Sequence, residues 1–441
     1  MQLVGLCVLV VGPTTRATRG ARGDGAAKRR GACIVVLLVM AAGAFAAPAA
    51  NARSNPFQAR GMWIWVLRAS SGGNLSSIVS QAHRYGIGTL YIKSSDGTGM
   101  WSQFNSGVVH TLHSYGIRVC AWQFVYGDYP TLEAQAGANA VQRGADCLVI
   151  DAEGQYEHKY VSARTYITRL RQSIGASFPV ALAGFPYVDY HPAFPYSVLL
   201  GPGGAQYSVP QMYWRDIGTS VDAVYAHTYF YNRLYLRPIY PLGQVYNSPP
   251  TWQLVRFRQF LGIYGAGGIS WWDWQEARAY TWPAISQRMG ALTNVAALPG
   301  EATIRAGSAG DLVIWAQEHL LAAGQNVAID GGYGPRTVAA VKNFQSSHGL
   351  SLDGVIGPQT WSALFRYRPP AVNWGHMSRE TSKAARTAAG GRVTEAAVAA
   401  MDTTGAPAPT SGVTPAPASS LLPAKANELD GSPGAGSPPP Q

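Results

Sequence analysis

Cys147-Leu148-Val149-Ile150-Asp151-Ala152-Glu153-Gly154 is the stretch on which the fold turns. An apolar run suited to the inside of a sheet ends in two carboxylates spaced i, i+2. Side chains two apart on a strand share a face, so Asp151 and Glu153 project together from one strand end. In a closed parallel barrel, the carboxyl end of a strand is where chemistry collects. The flanking sequence decides whether such a barrel exists.

Working outward, strands are predicted at Arg60–Val66, Thr89–Ser94, Arg118–Val125, Cys147–Glu153, Val180–Phe185, Ser208–Trp214, Arg237–Leu242 and Gly268–Trp274. Helical stretches alternate with them. Asn74 caps one that runs to Tyr85, and others cover 101–115, 132–143, 160–174, 221–235, 252–264 and 282–289. No helix is assigned after the fifth strand, because Pro192, Pro195 and Pro202 interrupt that segment. Gly86, Gly116 and Gly175 stop three of the helices shortly before the next strand, the expected helix-to-strand connection. Eight strands and seven helices in about 230 residues match a (β/α)8 barrel in count and size. A doubly wound open sheet would carry Gly-x-Gly-x-x-Gly after its first strand, and none stands there. The expectation is an α/β chain with a TIM-type barrel over residues 57–290.

The +11 net charge falls to +6 once residues 1–52 are set aside, since they hold six basic residues against Asp24 alone. What remains is scattered, with no Lys/Arg block, so no nucleic-acid partner is expected. Lys28-Arg29-Arg30, the apolar run Ala32–Ala47 and Ala50-Asn51-Ala52 read as a secretory leader. The run is short for a membrane span, so a membrane enters only through the competing reading, an uncleaved leader. Export to the cell wall or medium is expected. Two cysteines follow the leader, Cys120 and Cys147, each inside an apolar run. Both a disulfide and two thiols suit an exported protein. Two buried thiols are the expectation, because neighbouring parallel strands rarely offer bridging geometry.

Residues 291–302 read as a linker of small residues. Beyond it, Asp330-Gly331-Gly332-Tyr333-Gly334-Pro335-Arg336-Thr337 recurs as Asp353-Gly354-Val355-Ile356-Gly357-Pro358-Gln359-Thr360. Each copy delivers Pro to the first turn of a helix. With Ala316-Gln317-Glu318-His319-Leu320 and the Ala340–Gln345 stretch, residues 303–367 resemble the peptidoglycan-binding type 1 domain, a three-helix module. The resemblance implies bacterial peptidoglycan as the partner. From 368 to 441 Pro, Ala, Thr and Ser dominate, and such a segment buries too little to offset its ordering entropy. A monomer is expected.

Polar residues at the predicted strand ends are Lys93, Ser94, Asp96, Gln123, Asp151, Glu153, Tyr187, Asp189, Gln211, Tyr213, Arg215, Gln244 and Asp273, with Trp122 and Trp272 among the aromatics. Carboxylates between indole faces describe a sugar-cleaving cleft. The Asp-x-Glu end, Gln211-Met212-Tyr213-Trp214 and Gly268-Ile269-Ser270-Trp271-Trp272 make the barrel similar to family 25 lysozyme-type and family 18 glycosidases. That resemblance implies Glu153 as general acid and Asp151 as its partner, with Gln211 and Tyr213 holding an N-acetyl group. Asp128 and Glu157 are alternative second carboxylates. No His or Cys spacing fits zinc, so neither metal nor cofactor is expected. His110 and His113 lie on a predicted helix outside the barrel. The rival reading is a sugar-binding barrel without activity.

Overall fold

The computed structural model describes residues 55–290, 292, 298–372 and 374. The leader read over 1–52 and nearly all of the tail read after 368 lie outside the described residues. Among the described residues, no helix is long and apolar enough to cross a membrane.

The strands are β1 (Arg60–Ile64), β2 (Thr89–Asp96), β3 (Gly99–Met100), β4 (Arg118–Val125), β5 (Cys147–Ala152), β6 (Val180–Ala183), β7 (Tyr207–Ser208), β8 (Leu242–Gln244) and β9 (Ile269–Trp272). Their order is β7-β6-β5-β4-β2-β1-β9-β8, all parallel, with β3 an antiparallel hairpin on β2. Parallel bridges Ser208–Ile239 and Gln211–Leu242 join the two ends and close the barrel. The sixth and seventh predicted strands shrink because Pro210, Pro238 and Pro241 have no N–H for the ladder. Their carbonyls still accept, as when Ser208 N donates to Pro238 O at 3.0 Å.

Around the strands run α1 (Leu75–Arg84), α2 (Ser106–Ser114), α3 (Pro130–Gln142), α4 (Tyr160–Ile174), α5 (Tyr196–Leu199), α6 (Val221–Asn232), α7 (Thr251–Tyr264) and α8 (Thr281–Ser286). Asn74 caps α1 by accepting from Ser77 N at 2.9 Å, as its position before the apolar stripe suggested. The segment without an assigned helix holds only the one-turn α5, bracketed by Pro195 and Pro202.

Period-2 alternation divides the core into two layers. Trp63, Tyr91, Trp122, Phe124, Val149 and Trp272 point into the barrel. Met62, Ile64, Leu90, Val119, Leu148 and Ile150 point out against the helices. Cys120 and Cys147 lie opposite each other in the β4–β5 register, both facing inward, with Cα atoms 4.6 Å apart, and they form a disulfide. The two-thiol expectation is therefore corrected: direct register brings the pair within bridging range.

The carboxyl-terminal module comprises α9 (Asp311–Ala322), α10 (Pro335–Ser347) and α11 (Pro358–Leu364). Its sequence repeat is a structural repeat. Gln317 Nε2 donates to Asp330 Oδ1, Gly332 O and Thr337 Oγ1, while its Oε1 accepts from Asp330 N and Gly331 N. One repeat later, Gln345 Nε2 donates to Asp353 Oδ1, Val355 O and Thr360 Oγ1, and its Oε1 accepts from Gly354 N. Each buried amide thus pins the Asp-Gly turn that starts the next helix. Asp330 and Asp353 are claimed by these turns.

The module is docked on the barrel. Asp311, fully buried, accepts from Ser197 N at 2.8 Å, Ser197 Oγ at 2.7 Å and Tyr235 OH at 2.8 Å. Asp311 N donates to Pro192 O at 2.7 Å, and Trp315 Nε1 donates to Leu234 O at 2.7 Å. Gly310, at φ 102°, lies so close to Pro192 that a Cβ would stand 2.6 Å from its backbone oxygen.

Candidate active site

Asp151 is the penultimate residue of β5 and Glu153 directly follows its last residue, Ala152, so both carboxylates emerge at the carboxyl end of the barrel. A single amide spans them. Gln211 Nε2 donates to Asp151 Oδ1 at 2.9 Å and to Glu153 Oε1 at 3.0 Å. Gln211 can reach because Pro210 ends the β7 ladder and the chain turns across the mouth, Gln211 itself bridging to Leu242. Asp151 is buried at 6% exposure, whereas Glu153 keeps a partly open surface. Burial pushes the Asp151 carboxyl well up, and neighbouring Glu153 and Asp96 push the same way against Lys93. Burial also raises Glu153, opposed by the Gln211 hydrogen bond and the nearby His191. Two desolvated carboxyls sharing one donor amide hold a proton more readily than isolated acids do.

Lys93 supplies the pocket's buried cation. Its ammonium lies 2.6 Å from Asp96 Oδ2 and over the rings of Trp101 (4.4 Å), Trp122 (5.0 Å) and Trp65 (5.5 Å). The β2 ladder shifts register between Lys93 and Ser95, and Tyr126 OH holds the other Asp96 oxygen at 2.7 Å. Trp272 packs edge-on to Trp122 at 5.3 Å and beside Trp63 at 5.6 Å. Tyr213 is buried and packs edge-on to Tyr246, its hydroxyl kept protonated by burial and by the surrounding carboxylates, Asp151 and Glu153 among them. Asp273 follows Trp272, is fully buried, and accepts from Glu276 N at 3.2 Å. Burial and Glu276 push its carboxyl well up.

Eight of the residues read from the sequence therefore share one end of the barrel: Asp151, Glu153, Lys93, Trp122, Gln211, Tyr213, Trp272 and Asp273. Three have other partners. Gln123 faces the helix layer, where its Nε2 donates to Gly97 O and Glu133 O and its Oε1 accepts from Tyr166 OH. Strand alternation explains this, since Trp122 and Gln123 cannot both face inward. Asp189 is paired to His227 of α6 at 2.6 Å, and Tyr187 stacks on that imidazole at 3.8 Å. The alternative carboxylates are engaged too: Asp128 with Lys159 at 2.5 Å, and Glu157 with His191 at 2.8 Å. His113 binds Asp146 at 2.8 Å on the barrel's outer side.

Sequence reading missed His191 and Tyr246. His191 stacks on Phe185 at 3.5 Å and lies near Glu153. It sits in the proline-rich segment where no element was assigned, so nothing local marked it. Tyr246 donates to Asp216 beside Tyr213, and its place after Gln244 at the end of β8 was the available signal.

Residues 309–364 match the family described as "Putative peptidoglycan binding domain". A zinc D-Ala-D-Ala carboxypeptidase of Streptomyces albus G is 39% identical over 83 residues, covering 17% of this chain and 32% of that protein. The N-acetylmuramoyl-L-alanine amidase CwlL of Bacillus licheniformis is 55% identical over 40 residues, 9% of this chain and 11% of that one. The chain thus spans about a third or less of the length of these curated relatives. Among solved structures, the C-terminal domain of a chitinase-like protein from Desulfitobacterium hafniense DCB-2 aligns at 11% identity and TM-score 0.40, over 52% of this chain and 98% of that one. At that distance the barrel stands on its own strand order and closure. The carboxyl-terminal module, matching that family over residues 309–364, is carried on a (β/α)8 barrel.

Proposed function

We propose that this is an exported cell-wall protein that binds peptidoglycan and hydrolyses its glycan strand, with Glu153 as general acid. The observation that carries the reading is the Asp151–Gln211–Glu153 bridge at the barrel mouth. Burial raises both carboxyls, so the pair holds a proton more readily than isolated acids do. Glu153, the more accessible member, delivers a proton to the glycosidic oxygen as the bond to the anomeric carbon breaks. Water then adds to that carbon and returns a proton to the Glu153 carboxylate. Asp151, whose burial Lys93 opposes, faces the oxocarbenium-like charge or orients an acetamido group. Trp65 and Trp101, the partly exposed indoles around Lys93, offer flat faces to pyranose rings. Gln211 and Tyr213 are the polar contacts within reach of an N-acetyl group.

The module supports peptidoglycan as the polymer, since it matches a peptidoglycan-binding family. Purified walls test both halves. The full chain is expected to sediment with insoluble peptidoglycan and to lower the turbidity of a wall suspension. Glu153→Gln is expected to sediment equally while clearing at least about 100-fold more slowly. Sedimentation with no clearing by the native chain would instead favour a sugar-binding barrel without activity.

A further inference from the structure

The barrel's charges are sorted by end. Residues 55–290 carry 15 arginines but only two lysines, Lys93 and Lys159, against 12 carboxylates. Because all eight barrel strands run parallel, strand starts and helix ends share one rim. Asp146 is the one barrel carboxylate on that rim among the described residues, and it is held by His113 and by Val119 N. Most of the arginines are there. Arg60 opens β1 and donates to Tyr85 O at 2.7 Å; Arg143 closes α3 and donates to Phe104 O at 2.6 Å. Arg171, near the end of α4, reaches Phe178 O at 2.7 Å and Gly204 O at 2.8 Å. Arg237 holds Gly201 O at 2.8 Å, and Arg258 holds Ala284 O at 2.8 Å. None of these five pairs with a carboxylate among the described residues. Burial lowers Arg171 and Arg258 to about 10, so both stay charged at neutral pH. Arg84, Arg169 and Arg288 add exposed guanidiniums on the same rim.

The local reason for this pattern is the helix dipole, whose negative ends attract cations. The dipoles do not use the charge up. At roughly half a charge per helix end, the helices ending there and Asp146 offset only about half of the arginines. A rigid, positive rim remains on the end opposite the candidate active site.

We propose that this amino-terminal rim is a second wall-contact surface that takes a phosphodiester-linked anionic wall polymer. The choice of ligand rests on the cell-wall reading above; the existence of the surface does not. Guanidinium forks match phosphate oxygens, and the partly exposed Arg60, Arg143, Arg171 and Arg237 are already held by backbone carbonyls, so little of their side-chain freedom is lost on binding, while buried Arg258 adds only its charge. Charges spread round a rim suit a polymer rather than a compact anion, and a phosphodiester stays ionised throughout the wall's pH range.

The test compares sedimentation of the full chain with intact walls and with walls stripped of phosphodiester-linked polymers by hydrofluoric acid, at low and high salt. The variant Arg84→Gln/Arg169→Gln/Arg288→Gln alters exposed side chains only. Wild type is expected to bind intact walls roughly fivefold better than stripped walls at low salt, with the difference gone at high salt. The variant is expected to bind both alike, at the stripped-wall level. Unchanged wild-type binding after stripping, or variant binding equal to wild type on intact walls, would overturn the proposal. So would duplex DNA competing as well per phosphate as the released polymer. Loss of binding to stripped walls would instead indict the peptidoglycan module, and clearing activity is not read at all.

Discussion

Two buried carboxylate sites in this molecule differ in how many hydrogen-bond donors reach them. At the domain junction, Asp311 accepts from the Ser197 amide and hydroxyl and from the Tyr235 and Tyr160 hydroxyls. At the barrel mouth, Asp151 and Glu153 share one side-chain amide. Burial raises all three carboxyls, yet the donors hold Asp311 back to about 6 while Asp151 is driven well up. Burial by itself does not distinguish a structural carboxylate from a poised one. The number of donors aimed at it does.

The largest test of that contrast is at the mouth. Glu153→Gln should abolish clearing while leaving the thermal midpoint unchanged or higher, because an under-satisfied acid is replaced by a neutral group. A matching fall in stability would mean Glu153 is structural. Asp311→Ala should do the reverse. Leaving the Ser197 and Tyr235 donors unpaired at the junction is expected to cost about 3 kcal/mol in urea unfolding. Clearing per folded molecule should stay near wild type. If stability is untouched, the junction is not held by this carboxylate.

A smaller effect separates the members of the mouth. Gln211→Ala removes the hydrogen bond that opposes the rise of Glu153. The alkaline limb of the clearing profile should therefore move to higher pH, with the rate down about tenfold. An unmoved limb would remove Gln211 from the proton's control.

The smallest effect is on stability against pH. Asp151 and Glu153 both have folded values above their unfolded ones, so the folded state binds more protons. Their contribution makes stability fall as pH rises from about 4 upward. Asp311, Asp273 and Glu318 carry the same sign. The double variant Asp151→Asn/Glu153→Gln should flatten the urea-midpoint curve above about pH 4. A curve parallel to wild type would show the pair is not raised.

Much of this was legible locally. Apolar runs, glycine stops and the Asn74 cap marked the barrel elements, because period, turn chemistry and capping depend on neighbours in sequence. The Asp-Gly…Gly-Pro-x-Thr repeat marked the module for the same reason, although its partner glutamines emerged only in three dimensions. Gln123 was readable and misread: alternation on β4 already placed it opposite Trp122. The shortened β7 and β8 were readable too, since Pro210, Pro238 and Pro241 advertise missing donors.

Sequence by itself thus determined the barrel's alternating elements, the Asp151–Glu153 end and the family of the module. Tertiary structure decided what those elements do to one another. It put Cys120 opposite Cys147, carried Gln211 across 58 residues to Glu153, and seated Asp311 on Ser197 114 positions away. It also collected scattered arginines into one rim. Backbone preference acts over a few residues, whereas register, burial and charge sorting depend on which distant segments become neighbours.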